Sequence, residues 1–165
     1  MRIKHLAFAS TLIAIFAGSA IAQPLPDAIA AKGESVVLSV HAEGAQVYDC
    51  KPGEGGKLAW QFREPIATLV DGGKTVGRHY AGPTWEHADG SRVTGKPIGR
   101  APGATPADVP WLKLDVADSH GPGVLASATA IQRINTHGGQ HDGPCDKAGA
   151  MLAVPYSSDY VFLKK

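Results

Sequence analysis

The chain has 165 residues and a formal net charge of +1 at pH 7, which fits one domain with a sizeable core. It contains no cluster of basic residues, so the electrostatic footprint of a nucleic-acid-binding protein is missing. The counts of 20 Gly and 12 Pro are high for a helical protein and favour short strands joined by turns.

Residues 1–22 have the pattern of a secretory signal peptide. Arg2 and Lys4 precede a short apolar run, and Ala20-Ile21-Ala22 forms a small-x-small cleavage site. The apolar run is too short for a membrane-spanning helix, although an uncleaved anchor is the alternative. We therefore expect an exported protein, periplasmic or extracellular, without stable membrane insertion after cleavage.

Residues 23–34 are predicted to be a Pro-rich lead-in with one helical turn, and residues 35–165 a single domain. The β-branched run 35–41 predicts a first strand and residues 46–51 a second, with a turn at Glu43-Gly44 between them. The segment that follows alternates apolar and more polar residues with a period of two, its apolar positions being Leu58, Trp60 and Phe62.

The dipeptide Gly72-Gly73 predicts a hairpin with a two-residue turn. This turn would pair Asp71 with Lys74, Leu69 with Val76, and Ile66 with His79. Leu69, Val76 and Tyr80 would then face inward and His79 outward, an assignment that a one-residue slip would reverse.

Asp89-Gly90 predicts a second hairpin, after a break in the chain at Ala81-Gly82-Pro83. Its register would pair His87 with Arg92 and Trp85 with Thr94. These four side chains would then lie on one face.

The second half of the domain is predicted to alternate long loops with strands. Residues 95–110 are a Gly-, Pro- and Ala-rich loop, and residues 111–116 a strand. Residues 124–135 are assigned to a strand rather than a helix because of their β-branched content, with Ile131 and Arg133 on one face.

Residues 136–150 are predicted to be a polar loop, followed by strands at 151–156 and 159–163. Pro155 would place the first of these at a sheet edge or a bulge. About nine short strands with long Gly/Pro loops predict an all-β, single-domain antiparallel fold, either a β-sandwich or a closed barrel.

Cys50 and Cys145 are the two cysteines, and both lie in the part that would be exported. In an oxidising compartment they are expected to form one disulfide, with free thiols or metal ligation as the alternatives. Closing a loop of about 95 residues would contribute on the order of 4–5 kcal/mol in the chain-entropy model.

No nucleophile–base pair can be assigned from the sequence, and no G-x-S-x-G, P-loop or H-E-x-x-H motif is present. We therefore predict a binding module for a small molecule, glycan or envelope protein rather than an enzyme. A purely structural envelope protein is an alternative. The candidate ligand-binding residues are the aromatic and polar groups of the hairpins and the next strand: His79, Tyr80, Trp85, His87, Arg92 and Trp111.

A metal-binding protein or metal-dependent enzyme is the other class of function considered, although no cofactor is expected. His137 and His141 are spaced with Cys145 as metal ligands could be, and imidazoles suit Zn and Cu. Together with His79 and His87 they form the candidate ligand set, and solvated loop histidines are the alternative.

An ordered set of motifs covers nearly the whole exported part: Gly44-Ala-Gln-Val-Tyr-Asp-Cys50, Trp60-Gln-Phe62, Gly77-Arg-His-Tyr-Ala-Gly-Pro-Thr-Trp-Glu86, Asp89-Gly-Ser91, Pro110-Trp-Leu112, Ile131-Gln-Arg-Ile-Asn-Thr-His-Gly-Gly139, Pro144-Cys145 and Val154-Pro-Tyr156. This order resembles the family catalogued as domain of unknown function 3455, exported proteins of bacteria and fungi. The resemblance implies an exported single domain without an established activity, and it supplies no catalytic residues.

Some fungal members of that family carry a malate dehydrogenase label. Only the segment from Gly121 to Ala126 matches a dinucleotide fingerprint here, and it contains Pro122 and opens no helix of a βαβ unit. The sequence therefore gives no support to a nucleotide-dependent reaction.

Overall fold

A computed structural model describes residues 25–165, which form eight antiparallel strands closed into one barrel. Each strand pairs with its neighbour in sequence, and β8 closes the ring against β1. The strands are β1 Ser35–Pro52, β2 Leu58–Asp71, β3 Lys74–Tyr80, β4 Thr84–His87, β5 Arg92–Ala101, β6 Trp111–His120, β7 Ala130–Gly138 and β8 Met151–Lys164. The all-β prediction is confirmed, with a closed barrel as its form.

Outside the strands, residues 25–165 contain three short 3-10 helices, Asp27–Ile29, Glu54–Gly56 and Val124–Ser127. No helix within residues 25–165 is long and apolar enough to cross a membrane. The predicted signal peptide at residues 1–22 lies outside the described residues.

Alternate positions along the strands point into the barrel and fill it, as the period of two requires. Trp85, Tyr160 and Phe162 are the largest fully buried side chains. Edge-to-face contacts join Trp85 to both neighbours, with ring centroids 5.2 Å from Tyr160 and 6.3 Å from Phe162. The barrel interior therefore contains an aromatic core.

The turn predicted at Glu43-Gly44 is wrong, because β1 runs unbroken through both residues. A Cβ added to Gly44 would lie 2.0 Å from the carbonyl O of Ile66, on the neighbouring strand β2. Gly44 is therefore a point where the two strands approach closely, which is another common reason for glycine in a strand. The last strand is likewise continuous across Pro155, so the structure has eight strands rather than nine.

The first hairpin has the predicted turn, with Asp71 opposite Lys74, but the register beyond it is wrong by one residue. An irregularity between Leu69 and Val70 pairs Leu69 with Gly77 and Ala67 with His79. A bulge of this kind adds one residue to one strand and exchanges the faces beyond it. His79 is consequently buried inside the barrel, the reverse of its predicted orientation.

The second hairpin is also shifted, since Trp85 lies opposite Val93 and Glu86 opposite Arg92. His87 N donates to Ser91 O, so the loop has three residues, with Gly90 at a positive φ of 91°. Such three-residue loops are a common alternative to the two-residue turn. The four side chains predicted to share one face are therefore divided between two faces.

Two further segments differ from their predictions. Residues 95–101 continue β5 instead of belonging to a long loop, and residues 124–127 form a 3-10 turn ahead of β7. The lead-in packs against the outside of the barrel, where Ile29 is buried and its carbonyl O accepts a hydrogen bond from Gln132 Nε2.

The predicted disulfide between Cys50 and Cys145 is present. It joins the end of β1 to the loop that connects β7 and β8. Main-chain hydrogen bonds from Trp60 N to Gly143 O and from Cys145 N to Leu58 O attach the same loop to β2. The loop is thus fixed across one end of the barrel.

A candidate ligand-binding cavity at the barrel mouth

The barrel wall is lower at β3 and β4 than at the strands on either side. β2 pairs with β3 only from Ala67 onward, and β5 pairs with β4 only up to Thr94. Residues 58–66 of β2 and 95–101 of β5 therefore extend past the turn at 81–83. The result is a notch in the wall, with that turn as its floor.

A cavity of about 840 Å³ opens at this notch and reaches into the barrel. Its volume is within the range of small-molecule sites in proteins. We call it the mouth cavity. Residues from all eight strands and from the loops at this end line it, those used below being Gln46, Trp60, Phe62, Arg63, His79, Trp85, Ile98, Arg100, Arg133 and Tyr160.

Arg133 on β7 places a cation at the mouth cavity. Its Nε and Nη2 donate hydrogen bonds of 3.1 and 2.8 Å to Pro110 O, which fixes the plane of the guanidinium. Within residues 25–165 it forms no ion pair with a carboxylate, and Nη1 makes no hydrogen bond. A guanidinium has five N–H donors, so three of them remain for other partners.

His79 lies deep in the barrel as a neutral imidazole. Burial lowers its pKa from 6.5 to about 3. Because Thr84 O can only accept, the 2.8 Å contact places the proton on Nδ1. Nε2 is then a free acceptor at the wall of the mouth cavity.

Two buried side chains of the cavity wall carry donors without a partner in the described part of the chain. These are the amide Nε2 of Gln46 and the indole Nε1 of Trp85. Gln46 is only 2% exposed. A buried donor without a partner costs roughly 1–3 kcal/mol, so both groups gain from a bound acceptor atom.

The entrance to the cavity is apolar on both sides. Phe62 of β2 is 55% exposed and Ile98 of β5 is 56% exposed, and both belong to the lining. Large exposed apolar side chains at a concave entrance are typical of surfaces that receive an apolar ligand.

The aromatic rings on the β2 side contact one another at the rim. Tyr48 meets Phe62 and His141 edge to face, with centroids 5.7 and 5.8 Å apart, and Trp60 lies 6.1 Å from His141. The Tyr48 hydroxyl donates to Gly139 O at 2.6 Å and accepts from His141 N at 3.2 Å. These bonds hold the β7–β8 loop, which contains Cys145, against the barrel.

The charged residues that line the cavity are all arginines. Its lining includes Arg63, Arg100 and Arg133, whereas no Asp or Glu of the described chain contributes to it. The net charge of the whole protein is only +1, so this local excess is a property of the mouth. A concave site with one sign of charge concentrates ligands of the opposite sign.

The sequence-predicted ligand residues do not all reach this cavity. His79 and Trp85 line it, stacked on each other. Tyr80 lies outside the barrel and donates to Glu86 at 2.9 Å, and Arg92 lies opposite Glu86 on that face. The remaining two residues, His87 and Trp111, are not part of the lining. His87 ends β4 and contacts Asp89 of the β4–β5 loop, and Trp111 begins β6.

The structure does not group the four histidines predicted as metal ligands. Within residues 25–165, no three His, Cys, Asp or Glu side chains are grouped so that they could hold a metal ion. His79 is buried in the barrel, while His141 belongs to the rim and His137 is exposed on β7.

Gln46 and Arg133 are the functional candidates that the sequence analysis missed. A signal for Arg133 existed, because it shares its strand face with Ile131, which is fully buried. A charged residue two positions from a buried residue of the same strand points to the same side of the sheet, and so indicates a polar group inside the barrel. Gln46 carried no comparable signal, since its side chain is chemically ordinary for a strand.

A family model described as "Protein of unknown function (DUF3455)" matches residues 30–164. The chain belongs to this family. The match confirms the resemblance noted from the motifs, and it covers the whole DUF3455 barrel described above. A search of curated proteins and a search of solved structures find no match.

Proposed function

We propose that this DUF3455 protein is an exported binding module that takes a small molecule into the mouth cavity. One observation carries the proposal: an open cavity of about 840 Å³ contains buried donors that no described residue satisfies. Rigid barrel strands hold those donors in place, so a ligand would meet a largely preformed site.

Concave shape favours a small molecule over the other partners considered. A protein partner would need an extended complementary surface, whereas here the unpaired donors lie inside the barrel. A glycan would require paired donors and acceptors along its length, and the carboxylates that commonly accept from sugar hydroxyls do not line the mouth within residues 25–165.

Export is supported by the leader pattern of residues 1–22 and by the disulfide between Cys50 and Cys145. Mass spectrometry of the protein from its native host tests this part. We expect an N-terminus at Gln23, and a mature protein that retains Met1 would contradict export by signal cleavage.

Binding can be tested by NMR, because the three tryptophans divide between site and control. Trp60 and Trp85 line the cavity and Trp111 does not. Titration with neutral, anionic and cationic phenyl compounds should shift the indole N–H signals of Trp60 and Trp85 and leave that of Trp111 in place. Absence of such shifts with every compound at millimolar concentration would overturn the proposal.

A matched pair of variants on β2 locates the site. Phe62 and Ile66 are both 55% exposed, but only Phe62 lines the mouth cavity. Phe62→Ser should weaken binding by about fivefold through lost apolar contact, whereas Ile66→Ser should leave affinity unchanged. Equal effects of the two substitutions would place the ligand elsewhere.

A further inference from the structure

The charge of the mouth cavity narrows the chemistry of its ligand, provided that the proposed binding function holds. Of the three arginines in its lining, Arg63 already pairs with Glu64 at 2.9 Å and with Asp49 at 3.7 Å. Arg100 is exposed at the entrance. Arg133 is the cation of the lining that is both partly buried and free of a carboxylate in the described chain.

The single positive charge of Arg133 would be neutralised by a ligand with a single negative charge. A partly buried guanidinium without a counter-ion loses hydration and gains from an anion that enters the site with it. A phosphate dianion would bring a second charge, and among the described residues the lining offers no second cation that is both partly buried and free of a carboxylate. The charge balance therefore favours a monoanion.

The hydrogen-bonding groups that line the same cavity as Arg133 favour a planar acceptor group. The cavity wall has unpartnered N–H donors on Gln46 and Trp85. Arg133 adds its free N–H groups to these donors. A carboxylate has two oxygens and about four lone-pair directions, and it accepts from a guanidinium in a fork geometry. An ammonium or amide N–H of a ligand would find few acceptors here beyond His79 Nε2.

The rest of the ligand would occupy apolar surroundings. Between Arg133 and solvent, the lining contains the rings of Trp60 and Phe62 on one side and Ile98 on the other. Aromatic side chains accept a ring by offset stacking or edge contact. An apolar body next to the anionic group therefore matches the entrance.

We propose that the mouth cavity binds a small organic monocarboxylate with an apolar, ring-bearing body, the carboxylate lying on Arg133 and the body between Phe62 and Ile98. Arg133 is the anchoring residue, and Gln46 and Trp85 supply further donors to the carboxylate oxygens.

Isothermal titration of the wild-type protein with a matched series tests the charge requirement. The probes are 3-phenylpropanoate, its neutral amide, the cationic 3-phenylpropylamine, and inorganic phosphate. The carboxylate should bind about tenfold or more tightly than the amide, with the amine and phosphate weaker still. Equal binding of the amide would overturn the carboxylate inference while leaving the proposed function standing, and no binding by any probe would overturn both.

Charge-removal variants then test the anchor. Arg133→Gln should weaken 3-phenylpropanoate by about tenfold or more and the amide, which carries no charge, by clearly less, whereas Arg92→Gln removes an equal charge outside the cavity and should change neither. Arg133→Lys keeps the cation and should retain part of the preference for the carboxylate over the amide. An Arg133→Gln variant that binds the carboxylate like wild type would overturn the assignment, and the wild-type series decides the ligand class even where that variant does not fold.

Discussion

The imidazole of His79 is stacked on the indole of Trp85, with ring centroids 4.4 Å apart and planes 10° from parallel. Tyr160 contacts both rings edge to face, at 4.9 Å from His79 and 5.2 Å from Trp85. This packing removes His79 from water, and burial is the main cause of its low pKa of about 3. The stack thus lines the mouth cavity and is also a pH-sensitive part of the core.

Stability should therefore fall as the medium becomes acidic. The unfolded chain binds a proton at His79 near pH 6.5, whereas the folded state keeps the ring neutral down to about pH 3. Between those values, His79 lowers the free energy of unfolding by up to about 1.4 kcal/mol per pH unit. From pH 7 to pH 5 we expect a loss of roughly 2 kcal/mol from this residue.

Urea denaturation of wild type and His79→Gln at pH 7 and pH 5 measures that loss. The variant should be less stable at pH 7, because the ring packing is lost, but its dependence on pH should be shallower by the same roughly 2 kcal/mol. His120→Gln, at an exposed position beside Asp118, serves as control. Parallel pH profiles of wild type and His79→Gln would contradict a neutral buried imidazole.

Removal of the disulfide should destabilise the domain strongly. The bond closes a loop with a sequence separation of 95 residues, for which the chain-entropy model gives about 4–5 kcal/mol. The double substitution of Cys50 and Cys145 by Ser should lower the urea midpoint accordingly, as should reduction of the wild type. A free-thiol assay on the native protein should read close to zero, and two titratable thiols would contradict the structure.

Gly44→Ala should disturb the pairing of β1 and β2. The new Cβ would lie 2.0 Å from Ile66 O and 2.6 Å from Ala67 Cα, so main chain rather than a side chain would have to move. Overpacking of this kind costs about 1–3 kcal/mol or more. Gly53→Ala is the control, because its nearest atom would be 3.5 Å away, and thermal melting of the two variants should differ clearly.

Tyr48→Phe should loosen the loop at the rim. The substitution removes the acceptor of His141 N–H and the donor to Gly139 O, at an expected cost of about 1–3 kcal/mol. Hydrogen exchange of the His141 amide should become faster. Tyr80→Phe loses a hydroxyl that bonds to Glu86 on the outer surface and should leave that amide unchanged.

Local chemistry in the sequence was sufficient to predict the class of fold. Alternating apolar residues, Gly-Gly and Asp-Gly turns and two cysteines behind an expected export signal predict an all-β domain with one disulfide. Closure of the barrel was not decidable, since sandwich and barrel strands share the same period of two. Gly44 was misread because a close approach between strands depends on the partner strand, which no local pattern reveals.

Register was the main obstacle to predicting the site. One irregularity between Leu69 and Val70 turns His79 from the outside to the inside, and one extra loop residue before Ser91 separates Trp85 from Arg92. Bulges and loop lengths of this kind are decided by packing over the whole ring. Convergence of Gln46, His79 and Arg133 joins three strands far apart in sequence, so only the closed barrel brings it about.

The low wall at β3 and β4 makes access to the interior a matter of hairpin length. If β3 and β4 were both lengthened by the same number of residues around the turn at 81–83, the added residues would hydrogen-bond to the strand edges at residues 58–66 and 95–101. Such an insertion would close the entrance of the mouth cavity and leave its present lining side chains unchanged. Relatives with longer or shorter β3–β4 hairpins would then differ in which ligands can enter the cavity, even if their lining residues were identical.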